Sequence, residues 1–367
     1  MKSLQQRNKN LFNYLNKDIE ALVLSNGTDP FIDANFFYVS GLHQGLYEHC
    51  TAVIHPDGSG DLLVSALEAE SASESNLKIH SYQTKEEYQN ILTSVLSSVQ
   101  IIGFNSQGLL QHDFFQLNQF LPHISFKDAA PALYQARMKK DTAEIQAIKK
   151  ACDIAVATAK EIPNMITPGM TENELAASIN HSLQKQGADA PAFETIASFG
   201  SHSAQPHYTH GETRLQHGDF ILCDFGARYH HYHSDMTRTF VYGEASEKQK
   251  KMYSTVQHAQ QKAFSLLKPG IFASEVHQQT KAFIDQTDFS GRFIHSTGHS
   301  LGLSVHDGGV GLQESCMIPL EENMVLTVEP GVYLPGYGGV RIEDDIIITN
   351  DSYELLTDVN RDLIEIN

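Results

Sequence analysis

Apolar and polar positions along the chain fall into two regimes. Up to residue 134, short apolar runs alternate with segments of helical spacing. Residues 21–24, 36–39, 51–54, 62–64 and 101–104 have the length and the β-branched or aromatic content of strands. Residues 86–96 and 107–120 space their apolar side chains as helices do. This alternation predicts an α/β domain over residues 1–134. No motif within it points to chemistry.

From residue 135 the pattern changes to long amphipathic helices with marked starts. Asp141-Thr-Ala-Glu144 has the form of a capping box, and Ile145, Ile148, Cys152, Ala155 and Ala159 follow at helical spacing, with Pro163 after the last turn. Thr171-Glu-Asn-Glu174 is a stronger box; its helix carries Leu175, Ile179 and Leu183 and stops at Gly187. Ser246-Glu-Lys-Gln249 caps a third helix through Met252, Val256, Ala259, Ala263 and Leu267. A fourth runs from about Ser274 through Val276, Phe283 and Ile284. The first pair is joined by Thr167-Pro-Gly-Met170 and the second by Lys268-Pro-Gly-Ile271, an offset of 101 residues. Pro-Gly is a common helix ending, but here the whole helix–break–helix pattern repeats. It predicts a duplicated αβ domain with pseudo-two-fold symmetry over residues 135–367. Strand-like segments follow each pair: 219–225 and 237–242, joined as a hairpin, then 324–328 and 340–348. The expected class is α+β, in two domains.

Composition narrows the function. Lys and Arg number 26 and Asp and Glu 44, for a net charge of −18. That balance opposes nucleic-acid binding, which needs a basic face, and docking on anionic membrane. Both predicted domains are acidic, so the charge does not locate a site. The N-terminal sequence lacks the apolar stretch of a signal peptide, and no apolar run is long enough to span a membrane. Cys50, Cys152, Cys223 and Cys316 are widely separated and read as reduced core thiols, so a cytoplasmic protein is expected. The 19 histidines are more informative: seven lie before residue 202 and twelve between His202 and His306.

Several carboxylates sit where apolar strands should carry none. Asp224 lies near the end of Phe220-Ile-Leu-Cys-Asp224, Asp235 opens the next strand, and Glu329 ends Met324-Val-Leu-Thr-Val-Glu329. Glu343 falls inside the strand pattern of residues 340–348, and His299 is flanked by Gly298 and Gly302. Burying a carboxylate is costly unless it is paired or holds a metal. If the segments carrying Asp224 and Asp235 pair, both side chains face one side. Four carboxylates and one imidazole would hold two divalent ions. An oxygen-rich set favours Mn²⁺, with Co²⁺ or Zn²⁺ also compatible. Such a pair activates a water and polarises a carbonyl.

The segments Asp224-Phe-Gly-Ala227, Ser234-Asp-Met-Thr-Arg-Thr239, Gly298-His-Ser-Leu-Gly302, Val305-His-Asp307, Thr327-Val-Glu-Pro-Gly331 and Arg341-Ile-Glu-Asp344 resemble those of the pita-bread metallopeptidases. Within that group the chain is most similar to the Xaa-Pro peptidases, aminopeptidase P and prolidase. Asn35-Phe-Phe-Tyr-Val-Ser-Gly41 also resembles their creatinase-like N-terminal domain. The resemblance implies that Asp224, Asp235, His299, Glu329 and Glu343 bind the metal pair, at spacings of 11, 64, 30 and 14. It further implies that Glu329 shuttles a proton, that His207 contacts substrate and that His306 stabilises the tetrahedral intermediate. Arg341 would bind substrate and orient the site, with His295 a further cleft histidine. Short proline-containing peptides are the implied substrates and a homodimer the implied assembly.

The Val305-His-Asp307 variant inclines the expectation towards an Xaa-Pro aminopeptidase, with an Xaa-Pro dipeptidase as the alternative. A non-catalytic binding module and a metal-free creatinase-type enzyme both tend to lose ligand positions that are intact here. Methionine aminopeptidase lacks the N-terminal domain. Gly298-His-Ser300-Leu-Gly302 also matches a nucleophile elbow, but the only later histidine is His306, with Asp307 after it, the wrong order and too close. Tyr229-His-His-Tyr-His233 reads as a solvated hairpin tip.

Overall fold

The computed structural model describes residues 4–367. It divides into two compact units between Arg137 and Met138. The N-terminal unit holds a six-stranded sheet. Its strands are β1 (Ala21–Ser25), β2 (Thr51–Ile54), β3 (Gly60–Ser65), β4 (Lys78–Tyr82), β5 (Ile101–Phe104) and β6 (Ser125–Asp128), in the order β4-β3-β2-β1-β5-β6. Helices α1 (Leu4–Leu11), α2 (Ala34–Ser40), α3 (Lys85–Val95), α4 (Gln111–Phe120) and α5 (Ala130–Met138) accompany it. The central strands bury nearly all their side chains, which is why they read as continuous apolar runs.

Residues 36–39 do not form the expected strand; they lie in α2. Asp33 accepts a hydrogen bond from the Asn35 N–H at its start, and Gly41 closes it at φ +68°. A short run buried on every side has no periodicity, so its caps decide its form. Strands β4 and β6 are absent from the sequence reading. Both are edge strands, partly exposed and polar, so the apolar signal is missing.

The second unit contains the two helix pairs. Helices α6 (Thr142–Met165) and α7 (Glu172–Lys185) form the first, α8 (Glu247–Phe264) and α9 (Ala273–Asp285) the second. Three capping boxes are formed as expected, at Asp141, Thr171 and Ser246. Pro163 does not end α6, which continues to Met165. Proline sacrifices one N–H near a terminus, and buried Ile162 and Ile166 on either side hold the last turn.

The first pair lies with β7 (Ala190–Pro191), β8 (Ile196–Phe199), β9 (Phe220–Phe225), β10 (Ala227–Tyr229), β11 (Tyr232–His233) and β12 (Met236–Tyr242). Ile154, Ile162, Leu175 and Ile179 share one core with Ala197, Ile221, Cys223, Phe225 and Met236. The second pair lies with β13 (Gly298–His299), β14 (Gly311–Leu312), β15 (Val325–Val328), β16 (Gly331–Leu334), β17 (Gly338–Arg341), β18 (Asp344–Ile348) and β19 (Tyr353–Leu355), while the last strand, β20 (Glu365–Ile366), returns to pair with β12 in the first sheet. Ala263 and Val276 pack with Leu312, Leu326, Val328 and Ile346, while Met252, Val256 and Ile284 pack with Val332, Val340 and Ile342.

The duplication extends to single hydrogen bonds. Gly169 and Gly270 both turn at positive φ, +71° and +88°. The next residue accepts a backbone bond in each copy: Leu215 donates to the Met170 carbonyl (2.9 Å) and Leu320 to that of Ile271 (2.8 Å). One residue further on, Thr171 bridges Arg214 and Phe272 bridges Pro319.

Residues 340–348 are not one strand. The chain leaves β17, which pairs with β16, and enters β18, which pairs with β15. Ile342 and Glu343 make the crossing, and the Glu343 N–H donates to the Thr237 carbonyl (3.1 Å). The break thus places Glu343 against β12. Among the described residues no helix is long and apolar enough to cross a membrane. All four cysteines are free and buried.

Candidate metal centre and peptide cleft

Strand register brings the first two carboxylates together. In the β9–β12 pair Asp224 stands opposite Thr237, and Phe225 opposite Met236. Side chains alternate along a strand, so Asp224, Thr237 and Asp235 share one face while Phe225 and Met236 enter the core. The sequence thus already encodes the convergence, two residues apart from Thr237.

The imidazole of His299 lies between two acids. Its Nε2 is 3.6 Å from Asp235 Oδ2 and 3.6 Å from Glu329 Oε1. Ligand atoms of Asp235, His299 and Glu343 all fall within 4.8 Å of one another. Thr237 Oγ1 donates to Glu343 Oε2 (2.6 Å) and accepts from Arg341 Nε (2.9 Å). Arg341 is buried; its Nη2 donates to Asp224 Oδ2 (2.5 Å) and its Nη1 to Tyr333 Oη (2.9 Å). His295 Nε2 lies 2.8 Å from the same Tyr333 oxygen.

Crowded carboxylates with little water resist ionisation. Burial pushes Glu329 up to about 8, with Asp224 adding to the shift and Arg341 opposing it. Asp235 is raised by burial and then by Glu343 and Asp224; Glu343 is raised by burial and then by Glu329 and Asp224. Burial pulls His295 and His299 down to about 3, which keeps both imidazoles neutral, the form that ligates a metal. Asp224 Oδ1 and Asp235 Oδ1 are buried without a hydrogen-bond partner. Orphaned carboxylate oxygens beside a neutral imidazole are a donor set completed by divalent cations. The residues present fit such ions.

A cavity of about 530 Å³ opens onto this cluster. It is lined by Asp224, Asp235, His299, Glu329 and Glu343, and also by His207, His295, His306 and Arg341. Every residue singled out from the sequence therefore meets in one place. Phe193, Ile196, Pro206 and Val305 supply apolar wall. The His306 ring stands edge-on to His299 with centroids 4.2 Å apart.

Sequence reading missed Thr237 and Tyr333, whose importance comes from contacts with Arg341. It also missed Lys140. The Lys140 Nζ lies 3.2 Å from Asp307 Oδ2, both fully buried, and donates to Ser300 Oγ (3.4 Å). Ser300 is thus an interior residue held by a lysine, not a nucleophile at an elbow. This ion pair pins the loop that carries His306. Lys140→Met removes this buried ion pair, and we expect a loss of roughly 3 kcal/mol in chemical denaturation. The histidine-rich hairpin needs a correction. His230 and His231 form the tip at positive φ, but His233 is buried and donates its N–H to the Gly302 carbonyl (2.9 Å).

The metallopeptidase family M24 model matches residues 146–350, and the creatinase/prolidase N-terminal domain model matches residues 13–139. An Xaa-Pro dipeptidase of Pyrococcus horikoshii is 35% identical over 99% of this chain and 100% of its own length. The solved prolidase of P. horikoshii superposes with a TM-score of 0.88 at 33% identity, covering 99% of this chain and 100% of that one. The X-Pro aminopeptidase of Thermotoga maritima gives 0.88 at 29% identity, over 98% and 99%. Two domains of these kinds, together with full-length likeness to Xaa-Pro peptidases, define a peptidase of the Xaa-Pro type. The chain belongs to metallopeptidase family M24.

Proposed function

We propose that the protein is an Xaa-Pro dipeptidase that splits Xaa-Pro dipeptides into their two amino acids with a dinuclear metal centre. The convergence of all nine sequence-selected residues on one cavity carries this reading. The sequence inclined towards an aminopeptidase; the full-length similarity to an Xaa-Pro dipeptidase favours the alternative instead.

Asp224, Asp235, His299, Glu329 and Glu343 would hold two divalent ions, Mn²⁺ best suiting a set with one nitrogen. When bound, the ions supply an activated water and polarise the scissile carbonyl. The chain's own residues do the rest. Glu329 takes a proton on a carboxylate oxygen and delivers it to the departing proline nitrogen. His306 donates a hydrogen bond to the oxygen on which negative charge develops. His207 and His295 contact the substrate. Arg341, fixed by Thr237, Tyr333 and Asp224, orients the peptide and offsets part of the carboxylate charge. Homodimeric assembly and a cytoplasmic location complete the reading. They rest on the family resemblance and on four free, buried thiols.

The decisive measurement compares an Xaa-Pro dipeptide with the matching Xaa-Pro-Yaa tripeptide on Mn²⁺-loaded protein. The dipeptide should be preferred in kcat/KM by at least about tenfold, or 1.4 kcal/mol in transition-state binding. Preference for the tripeptide returns the assignment to an aminopeptidase.

A further inference from the structure

Glu172 is the first residue of α7 and is fully buried. An acid at a helix N-terminus normally stays in water and interacts with the dipole. Here both carboxylate oxygens are committed to another segment. Oε1 accepts from the Phe199 N–H (2.9 Å) and from His202 Nδ1 (3.0 Å), and Oε2 accepts from Tyr208 Oη (2.8 Å). The rings of His202 and Tyr208 lie against each other with centroids 4.3 Å apart. The backbone N–H of Glu172 donates to the Thr213 carbonyl at 3.1 Å, which fastens the far end of the same segment.

Between those anchor points lie Pro206 and His207, both on the cavity wall. The Pro206 carbonyl also accepts from Arg341 Nη1 (3.4 Å). Glu172 does not line the cavity. A buried carboxylate tolerates its desolvation only while its donors stay in place. Its three donors, Phe199, His202 and Tyr208, come from the start of the segment, its first turn and the residue after His207, so the charge and the loop geometry enforce one another.

We propose that Glu172 is a positioning residue that fixes His207 against the substrate by clamping residues 199–213 to the first turn of α7. The proposal rests on the reading of His207 as a substrate contact. It predicts an effect on substrate binding, not on the metal ligands, none of which Glu172 touches.

The test compares Glu172→Gln, Tyr208→Phe, His207→Ala and the double variant Glu172→Gln/His207→Ala. For each, kcat and KM on an Xaa-Pro dipeptide, bound Mn²⁺ per chain and the melting temperature are measured. Glu172→Gln keeps an acceptor but loses the charge. It should raise KM about tenfold, with kcat and Mn²⁺ content near the parent's. Tyr208→Phe removes one donor and should shift KM in the same direction by less. The double variant should have the KM of His207→Ala alone, because the clamp acts only through that side chain. Parental KM in Tyr208→Phe and Glu172→Gln beside a raised KM in His207→Ala overturns the clamp and leaves the reading of His207 intact. Additive losses in the double variant also overturn it. Parental kinetics in His207→Ala overturn the role of His207, and the clamp with it. If Glu172→Gln does not fold, Tyr208→Phe decides by the same comparison.

Discussion

His299→Ala is expected to lose metal and activity together. The imidazole is the only nitrogen within the cluster defined by Asp235, His299 and Glu343, whose ligand atoms lie within 4.8 Å of one another. It separates Asp235 from Glu329 at 3.6 Å on each side. Without it the remaining carboxylates keep their crowding and burial, which already push Glu329 up to about 8. Such groups take up protons rather than share a cation, because proton uptake removes the repulsion without need of the missing nitrogen donor. If the proposed centre is right, elemental analysis of Mn²⁺-loaded protein should find the proposed two ions per chain reduced to one or none. Hydrolysis of an Xaa-Pro dipeptide should fall by more than the roughly 10²–10³-fold that loss of one oxyanion donor costs. His306→Ala is the matched control. It removes a neighbouring ring and should lower kcat while retaining the metal. Parental activity in metal-free His299→Ala would refute the proposed centre.

The site was more legible in the sequence than the fold around it. Charges in apolar strands are conspicuous because their burial needs compensation. Asp224, Asp235, Glu329 and Glu343 therefore stand out before any contact is known. Capping boxes at Asp141, Thr171 and Ser246 are local and were equally readable. Residues 36–39 failed as a strand because their helix depends on caps at Asp33 and Gly41 rather than on periodicity. Residues 340–348 failed as one strand because the crossing at Glu343 depends on partners far along the chain. The supporting residues had no sequence signal of their own. Thr237 matters through Glu343 and Arg341, Tyr333 through Arg341 and His295, and Lys140 through Asp307. Each contact joins residues that only the folded chain brings together. Strand alternation offered one clue, since it places Thr237 on the face of Asp235.

Arg238→Met is expected to cost the most stability of the substitutions considered. Arg238 is buried beside the proposed metal centre rather than in it, and its guanidinium has no solvent alternative. Nη2 donates to Asp344 Oδ1 at 2.6 Å, and Nη1 donates to the Glu343 and Thr237 carbonyls at 2.7 and 2.9 Å. Nε donates to the Asn360 carbonyl at 3.0 Å. Methionine matches the stem but supplies none of these donors. Asp344, fully buried, would keep only its bonds from Gln260 and Thr357 and the more distant Arg361. Breaking one side of a buried ion pair costs about 3–5 kcal/mol. The Glu343 and Asn360 carbonyls also lose the guanidinium as donor, which sets the expectation at the upper end, about 5 kcal/mol, read from the denaturant midpoint at unchanged slope. Because two of the carbonyls that Arg238 holds belong to Glu343 and Thr237, metal affinity should also weaken by about 10–100-fold. Adding Asp344→Asn removes the stranded charge and should restore part of the stability but not the affinity, since the backbone on either side of Glu343 stays unheld. A stability loss below about 1 kcal/mol in Arg238→Met would mean that water or Arg361 replaces the guanidinium. The carbonyls beside the proposed metal ligands would then not depend on Arg238 for their placement.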